Sequence, residues 1–209
     1  MLQSADEAIK AIIDTLSAAG RYQNTYILFA SDNGWIMGPH RFTGTKGPPY
    51  EEVLRMAFFM RGPGVPAGLK LKHLVGNIDI APTIAALAGV AVPADVDGRS
   101  ITPLFTDSRP APEAWRQSYL TQFVIWEGSA PGIPTWIGLR TVRHTYAEYP
   151  ATSELELYDN FVDPKQVNNI AGTADPSFLA WLSGQKAALS TCTGATCRTL
   201  EDKATPVAP

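Results

Sequence analysis

Asp32, Asn33, His40, Arg41 and Lys46 fall within one tract, Ser31-Asp32-Asn33-Gly34-Trp35-Ile36-Met37-Gly38-Pro39-His40-Arg41, followed by Gly44-Thr45-Lys46-Gly47 and Tyr50-Glu51-Glu52. The first two carry hard oxygen donors. A carboxylate beside an amide oxygen suits calcium or magnesium rather than zinc or copper. Calcium takes about 6–8 oxygens, so two ligands hold neither ion alone. Lys46 sits between glycine-rich segments that give its ammonium an open approach to an oxyanion, and His40 and Arg41 add donors nearby. His40 can also work as an acid or base near neutral pH. The tract therefore reads as a loop able to meet a metal ion and an anion together. The competing readings are a solvated loop lysine at position 46 and an ordinary histidine at position 40.

Neighbouring residues on a strand point to opposite faces, so Asp32 and Asn33 can share a ligand only where the strand ends. Gly34 supplies that break. Asn-Gly is also the strongest short hairpin signal, which would make Ile27–Ser31 and Trp35–Met37 a strand pair. The second of those strands would be only about three residues long before Pro39 and three further glycines, so an irregular loop fits better. Glu51 and Glu52 are expected to bond backbone or pair with Arg55 rather than perform acid–base chemistry.

The elements that would position this loop are legible on either side. Ala8, Ile9, Ile12, Ile13 and Leu16 recur at helical spacing over residues 3–18, with Ser4 as N-cap and Gly20 as stop. Tyr26–Ala30 and Met56–Met60 are short continuous apolar runs that suit strands buried on both faces of a mainly parallel sheet. Helix, loop and buried strand, repeated, indicate α/β. Asp79 opens the next helix as its cap, with Pro82 in the first turn and Gly89 as the stop. A rise in Pro and Gly between Pro93 and Pro112 marks a subdomain boundary, dividing 1–106 from 107–209. Beyond it, Ser118–Trp126, Thr135–Thr141, His144–Tyr149 and Leu155–Tyr158 read as antiparallel strands, and Phe178–Leu189 as a final amphipathic helix.

Composition narrows the class. With 209 residues and 45% hydrophobic content the chain can bury a sizeable core. Seventeen basic against twenty acidic residues give a net charge of −3, so no global field favours nucleic acid or an acidic membrane. No apolar run reaches the roughly 20 residues of a bilayer span, and the first residues lack the basic-then-apolar start of a signal peptide. The two cysteines stand in Cys192-Thr-Gly-Ala-Thr-Cys197. A turn at Gly194 can bring them within the Cα separation of about 5–6 Å that a disulfide requires, which would imply an oxidising compartment. Two reduced thiols on a surface loop is the alternative. No Gly-x-Ser-x-Gly elbow is present to suggest a serine hydrolase.

The tract closely resembles the second half of the type I sulfatase signature, in the alkaline-phosphatase-like superfamily. The matching residues are Ser31 to Gly34, Gly38 to His40, Lys46-Gly47, Tyr50-Glu51 and Arg61 to Gly64. The likeness continues at Asn77-Ile78-Asp79-Ile80-Ala81-Pro82-Thr83, Asp97-Gly98-Arg99-Ser100, Glu156-Leu157-Tyr158-Asp159, Asp163-Pro164 and Asn168-Asn169. The resemblance implies a partial alkaline-phosphatase-like sheet with helices followed by a small antiparallel α+β subdomain. It implies Asp32 and Asn33 as metal ligands, with calcium ahead of magnesium, Lys46 on the sulfate oxygens, and His40 and Arg41 in or beside the pocket. The family's nucleophile is a formylglycine made within Cys/Ser-x-Pro-x-Arg, and neither Cys192 nor Cys197 lies in such a motif. The chain thus looks like the last two-fifths of a sulfatase, whose parent would be secreted or periplasmic and would act on a sulfate ester or related anionic ester. A homo-oligomer or a complementing N-terminal sulfatase part is the expected partner. The alternatives are a free-standing metal-dependent phosphate, phosphonate or carboxyl ester hydrolase, and a non-catalytic module binding sulfated ligands through Lys46, Arg41 and exposed aromatics such as Trp115, Trp126 or Trp136.

Overall fold

A computed structural model describes residues 2–125 and 132–206, and the chain divides into two compact units. One comprises Met1–Ser31 and Ala57–Lys70, the other Asp32–Met56 and Leu71–Pro209. No helix among the described residues is long and apolar enough to cross a membrane.

In the first unit, helix α1 runs from Leu2 to Ala18. It begins two residues before Ser4, so Ser4 lies inside the helix and does not cap it. Gly20 ends it as expected: φ is 65°, Gly20 N–H donates to Ser17 O at 3.0 Å and Arg21 N–H to Leu16 O at 2.8 Å. That pair of bonds is the Schellman arrangement, which needs a left-handed residue where Gly sits. Strands β1 (Ile27–Ala30) and β2 (Phe58–Arg61) pair antiparallel, with Phe29 opposite Phe59. The expected burial on both faces of a parallel sheet is not found here. Phe29 and Phe59 are 44% and 66% exposed, their rings 6.2 Å apart. A four-residue apolar run has the same appearance in either pairing direction, so hydrophobicity alone could not decide it.

The second unit is built on a four-stranded antiparallel meander, β3 (Ser118–Phe123), β4 (Trp136–Thr141), β5 (His144–Tyr149) and β6 (Glu154–Asp159), in that order. Period-two alternation sorts its side chains. Leu139, Tyr146 and Leu157 face α4 (Pro176–Leu189) and pack with its Phe178, Leu182 and Leu189. Trp136, Ala147 and Tyr149 point the other way and pack with Leu54 and Phe123. Asp175 caps α4, its carboxylate accepting from Ser177 N–H at 2.7 Å and Phe178 N–H at 3.3 Å. The expected strand end at Trp126 lies outside the described residues.

Helix α3 (Ile80–Leu87) follows Asp79, but the Asp79 side chain does not cap it. Its carboxylate instead accepts Gly76 N–H and Arg99 N–H, each at 2.9 Å, and a bidentate pair of bonds from Arg116 at 2.6 and 2.9 Å. Arg116 also reaches Glu201 at 2.8 Å, on the short helix α5 (Ala195–Glu201), which the sequence did not signal. Burial opposes charge on Arg116, but the hydrogen bonds and charges of Asp79 and then Glu201 overcome it and hold its pKa above the ordinary value. Cys192 and Cys197 form a disulfide with Cα atoms 5.1 Å apart. It joins the end of α4 to α5, and Gly194 N–H between them donates to Asp97 at 2.6 Å.

Candidate functional site

Asp32 is separated from the end of β1 by Ser31 alone and starts an irregular loop rather than an Asn-Gly hairpin. Gly34 is stitched to the short helix α2 (Glu51–Leu54): its N–H donates to Val53 O at 2.8 Å, and a Cβ there would stand 2.0 Å from Glu52 O. Only glycine permits that approach. Two residues on, fully buried Ile36 exchanges backbone hydrogen bonds with Thr45, at 3.0 and 3.1 Å. This bridge closes the loop on itself, with Asp32 and Asn33 at its entry and Lys46 immediately after the closing residue.

Inside the loop the backbone is held in uncommon conformations. Gly38 has φ 99°, and His40 and Arg41 have φ 52° and 64°, in the left-handed region. Non-glycine residues held there cost of order 1–3 kcal/mol each and gather at functional sites. Gly38 N–H to Phe42 O at 2.7 Å and Phe42 N–H to Pro39 O at 3.1 Å tie the turn together. The His40 ring then stacks on Tyr50, centroids 3.7 Å apart and planes 2° from parallel. Lys46 and Arg41 are exposed and form no ion pair among the described residues. Lys46 leads into Gly47, whose carbonyl accepts from Trp136 Nε1 at 2.7 Å, anchoring the exit of the loop on the sheet.

The metal reading can be tested on the donors. Asp32 is exposed and accepts Asn33 N–H at 2.9 Å, and the Asn33 amide donates through Nδ2 to Gly34 O at 2.7 Å. The amide oxygen is thereby turned away from that carbonyl. In kind, this pair fits a hard divalent ion. In number it falls short, since no group of three His, Cys, Asp or Glu side chains placed to hold a metal occurs among the described residues.

Several neighbours went unread in the sequence. Glu51 pairs with Arg140 of β4 at 2.6 Å, not with Arg55, and its N–H donates to the buried Gln166 at 2.7 Å. Trp115 and Trp136, offered as exposed ligand-binding aromatics, are 7% and 2% exposed and bond Leu74 O and Gly47 O through their indole nitrogens. Trp126 lies outside the described residues. Beside the loop, Tyr149 and Tyr158 donate to opposite oxygens of Glu156 at 3.0 and 3.1 Å, and Tyr50 meets Tyr158 edge-on at 6.0 Å. Burial first, then the Glu156 charge, raises the pKa values of Tyr149, Tyr158 and Tyr50, so all three stay neutral donors. Alternation along β6 puts Glu154, Glu156 and Tyr158 on one face, and Tyr149 joins them only through the pairing of β5 with β6.

Comparison with known proteins gives a consistent picture. The family described as N-sulphoglucosamine sulphohydrolase, C-terminal, matches residues 38–182. An arylsulfatase of Chlamydomonas reinhardtii is 36% identical over 220 residues, covering 92% of this chain and 34% of that protein. The N-acetylglucosamine-6-sulfatase of Homo sapiens is 30% identical, over 95% of this chain and 41% of its own length. Among solved structures, BT4656 in complex with its substrate D-glucosamine-2-N,6-O-disulfate aligns with a TM-score of 0.77 and 29% identity, over 90% of this chain and 37% of that one. The phosphonate monoester hydrolase SpPMH from Silicibacter pomeroyi aligns with a TM-score of 0.70 and 28% identity, over 88% of this chain and 38% of its own. The chain therefore spans between a third and two-fifths of the length of these curated relatives.

Proposed function

The chain belongs to the type I sulfatase family as its C-terminal portion, and from that premise we propose that it supplies half of a sulfate-ester hydrolysis site. Asp32 and Asn33 would hold a divalent ion, calcium ahead of magnesium, together with ligands from the remainder of a longer parent. That ion, when bound, contributes Lewis-acid polarisation of the sulfate. Lys46 binds sulfate oxygens and offsets their negative charge, Arg41 adds a second cation, and His40, its ring held against Tyr50, holds or delivers a proton at a ring nitrogen. The attacking group would come from a formylglycine motif, which this chain does not contain. Residues 1–106 would complete the parent's core and 107–209 form its C-terminal subdomain.

The observation that supports this reading is the closure of the loop by Ile36 and Thr45, with Asp32 and Asn33 on the chain before the bridge and Lys46 directly after it. Support for an amino-sugar sulfate as substrate comes from two relatives, named for N-acetylglucosamine 6-sulfate and described with a glucosamine disulfate. A secreted parent is supported by extracellular sulfatases among the relatives and by the disulfide. The exposed Phe29 and Phe59 support association, either with an N-terminal sulfatase part or with a second copy. The test is titration of the chain with inorganic sulfate, followed by NMR. We expect shifts at Lys46, Arg41 and His40, and an affinity at least about tenfold weaker in Lys46→Ala, since a charged hydrogen bond contributes about 1.5–3 kcal/mol. Unchanged affinity in Lys46→Ala would place the anion elsewhere. The likeness to a phosphonate monoester hydrolase favours a second reading, in which the same residues receive a phosphonate ester.

A further inference from the structure

Next to the loop lies an open cleft of about 380 Å³ whose walls differ sharply in chemistry. One wall is apolar and comes from the loop and the segment before β4: Phe42, Pro48 and Ile133. The other comes from one face of the sheet and carries Glu154, Glu156 and Tyr149. The strand register explains the second wall. Tyr149 lies opposite Glu154 and Ala147 opposite Glu156, so both carboxylates point to the Tyr149 side. Asn169 adds an amide, fixed by bonds from Leu157 N–H and to Leu155 O. Among the described residues lining the cleft there is no Lys, Arg or His.

We infer that this cleft is a binding subsite for the sugar ring of the ester, and that it accepts a neutral or cationic ring, such as a hexosamine, while rejecting one that carries a carboxylate. The inference rests on the proposed sulfatase reading and adds a specificity to it. Three features combine to support it. Apolar flats opposite hydrogen-bonding groups match a pyranose, whose C–H face is apolar and whose rim carries hydroxyl donors. The Glu156 oxygens accept the hydroxyls of Tyr149 and Tyr158, and Tyr50 bonds the same carboxylate, which fixes it on the cleft wall with acceptor capacity remaining for one ligand hydroxyl or ammonium. Finally, Tyr50 belongs to both sites: it lines the cleft and stacks on His40. Phe42 and Pro48 also lie on either side of Lys46 along the chain, so the cleft adjoins the loop that carries the cationic residues. A uronate or second acidic substituent in the cleft would face Glu154 and Glu156 with no Lys, Arg or His among the described residues of the cleft wall to offset it, and like charges set against each other weaken binding.

The experiment titrates the 209-residue chain with three sulfate-free probes, methyl glucosaminide, methyl N-acetylglucosaminide and methyl glucuronide, using NMR shifts at Tyr149, Ile133 and the His40 ring. The expected order is amine first and N-acetyl second, with the uronate at least about tenfold weaker. Glu156→Gln keeps the shape of the carboxylate, should bring the amine and uronate affinities together, and Tyr149→Phe should weaken both amino sugars. Lys46→Ala should leave all three probes unaffected, which separates this inference from the sulfate reading: loss of sulfate binding with sugar binding intact sinks neither. Uronate binding as tight as the amine, or sugar shifts that persist in Glu156→Gln with the same order, would overturn it. So would the absence of shifts around the cleft for every probe.

Discussion

His40 lies flat against Tyr50, with the ring planes 2° from parallel at 3.7 Å, although His40 itself is held at φ 52°. The stack offsets part of the cost of a left-handed histidine, since aromatic pairs contribute about 0.5–1.5 kcal/mol beyond their buried area. Tyr50→Leu should therefore lower stability by about 1–2 kcal/mol in urea unfolding and weaken sulfate binding at the loop. Tyr50→Phe keeps the ring and should keep both. Equal losses in the two variants would assign the effect to the hydroxyl instead.

A second prediction concerns the fully buried Arg116 and Asp79, joined by two hydrogen bonds of 2.6 and 2.9 Å. Removing one partner of such a pair leaves an uncompensated buried charge and costs about 3–5 kcal/mol. Arg116→Met and Asp79→Leu should each cost that much, while the double variant costs far less than their sum. A double-mutant cycle by chemical denaturation gives the answer. Additive losses would show that the two residues act independently.

These two pairs also show what the sequence could and could not reveal. The strands β3 to β6, α1 and α4 were legible because hydrophobic alternation and helical spacing are local patterns. The loop's residue types were legible for the same reason, with Asp32, Asn33, His40, Arg41 and Lys46 set close along the chain. Asp79 was read as a helix cap because two of its partners, Arg99 and Arg116, lie 20 or more positions away and no local pattern announces them. Antiparallel pairing of β1 with β2 was hidden because a short apolar run looks the same in either direction. The carboxylate and tyrosines of the cleft needed the register of β5 against β6, which only the fold supplies.

The buried His144 makes stability depend on pH. Burial first, with the charges of Arg143 and Arg140 behind it and Asp159 opposing, lowers its pKa below 6.5. The folded form thus resists the proton that the unfolded chain accepts, so stability is full above about pH 6.5 and falls as pH drops below it. Glu148 and Asp159, both lowered, by Lys186 with Tyr146 and by Arg143 respectively, lose their contributions only below about pH 4.5. Urea midpoints between pH 7 and 5 should fall in the wild type and fall less in His144→Gln. Parallel slopes for the two proteins would remove His144 from the account.

Reducing the Cys192–Cys197 bridge should cost roughly 2 kcal/mol, the loop-entropy expectation for so short a ring. The loss should centre on α5, because that helix carries Glu201 to Arg116 and Arg99. Hydrogen exchange with and without reductant measures both. Uniform loss of protection across β3 to β6 would show that the bridge secures the whole unit.

The last prediction is catalytic. The chain alone should release little or no sulfate from an aryl sulfate, because no Cys/Ser-x-Pro-x-Arg stands in it to furnish the attacking group and, on the proposed reading, Asp32 and Asn33 would be its only metal ligands. Calcium binding by calorimetry should be correspondingly weak. Joined to an N-terminal sulfatase part that carries the formylglycine motif, the same chain should turn over, and Lys46→Ala should then lower the rate by about 10²–10³, the usual effect of deleting one preorganised electrostatic donor. Asp32→Ala should abolish the metal dependence together with the activity. Vigorous sulfate release by the 209-residue chain alone, lost in Lys46→Ala or Asp32→Ala, would reveal a nucleophile within these residues and refute the half-site account. Activity in the joined protein that is indifferent to both substitutions would move the reacting centre away from the loop altogether.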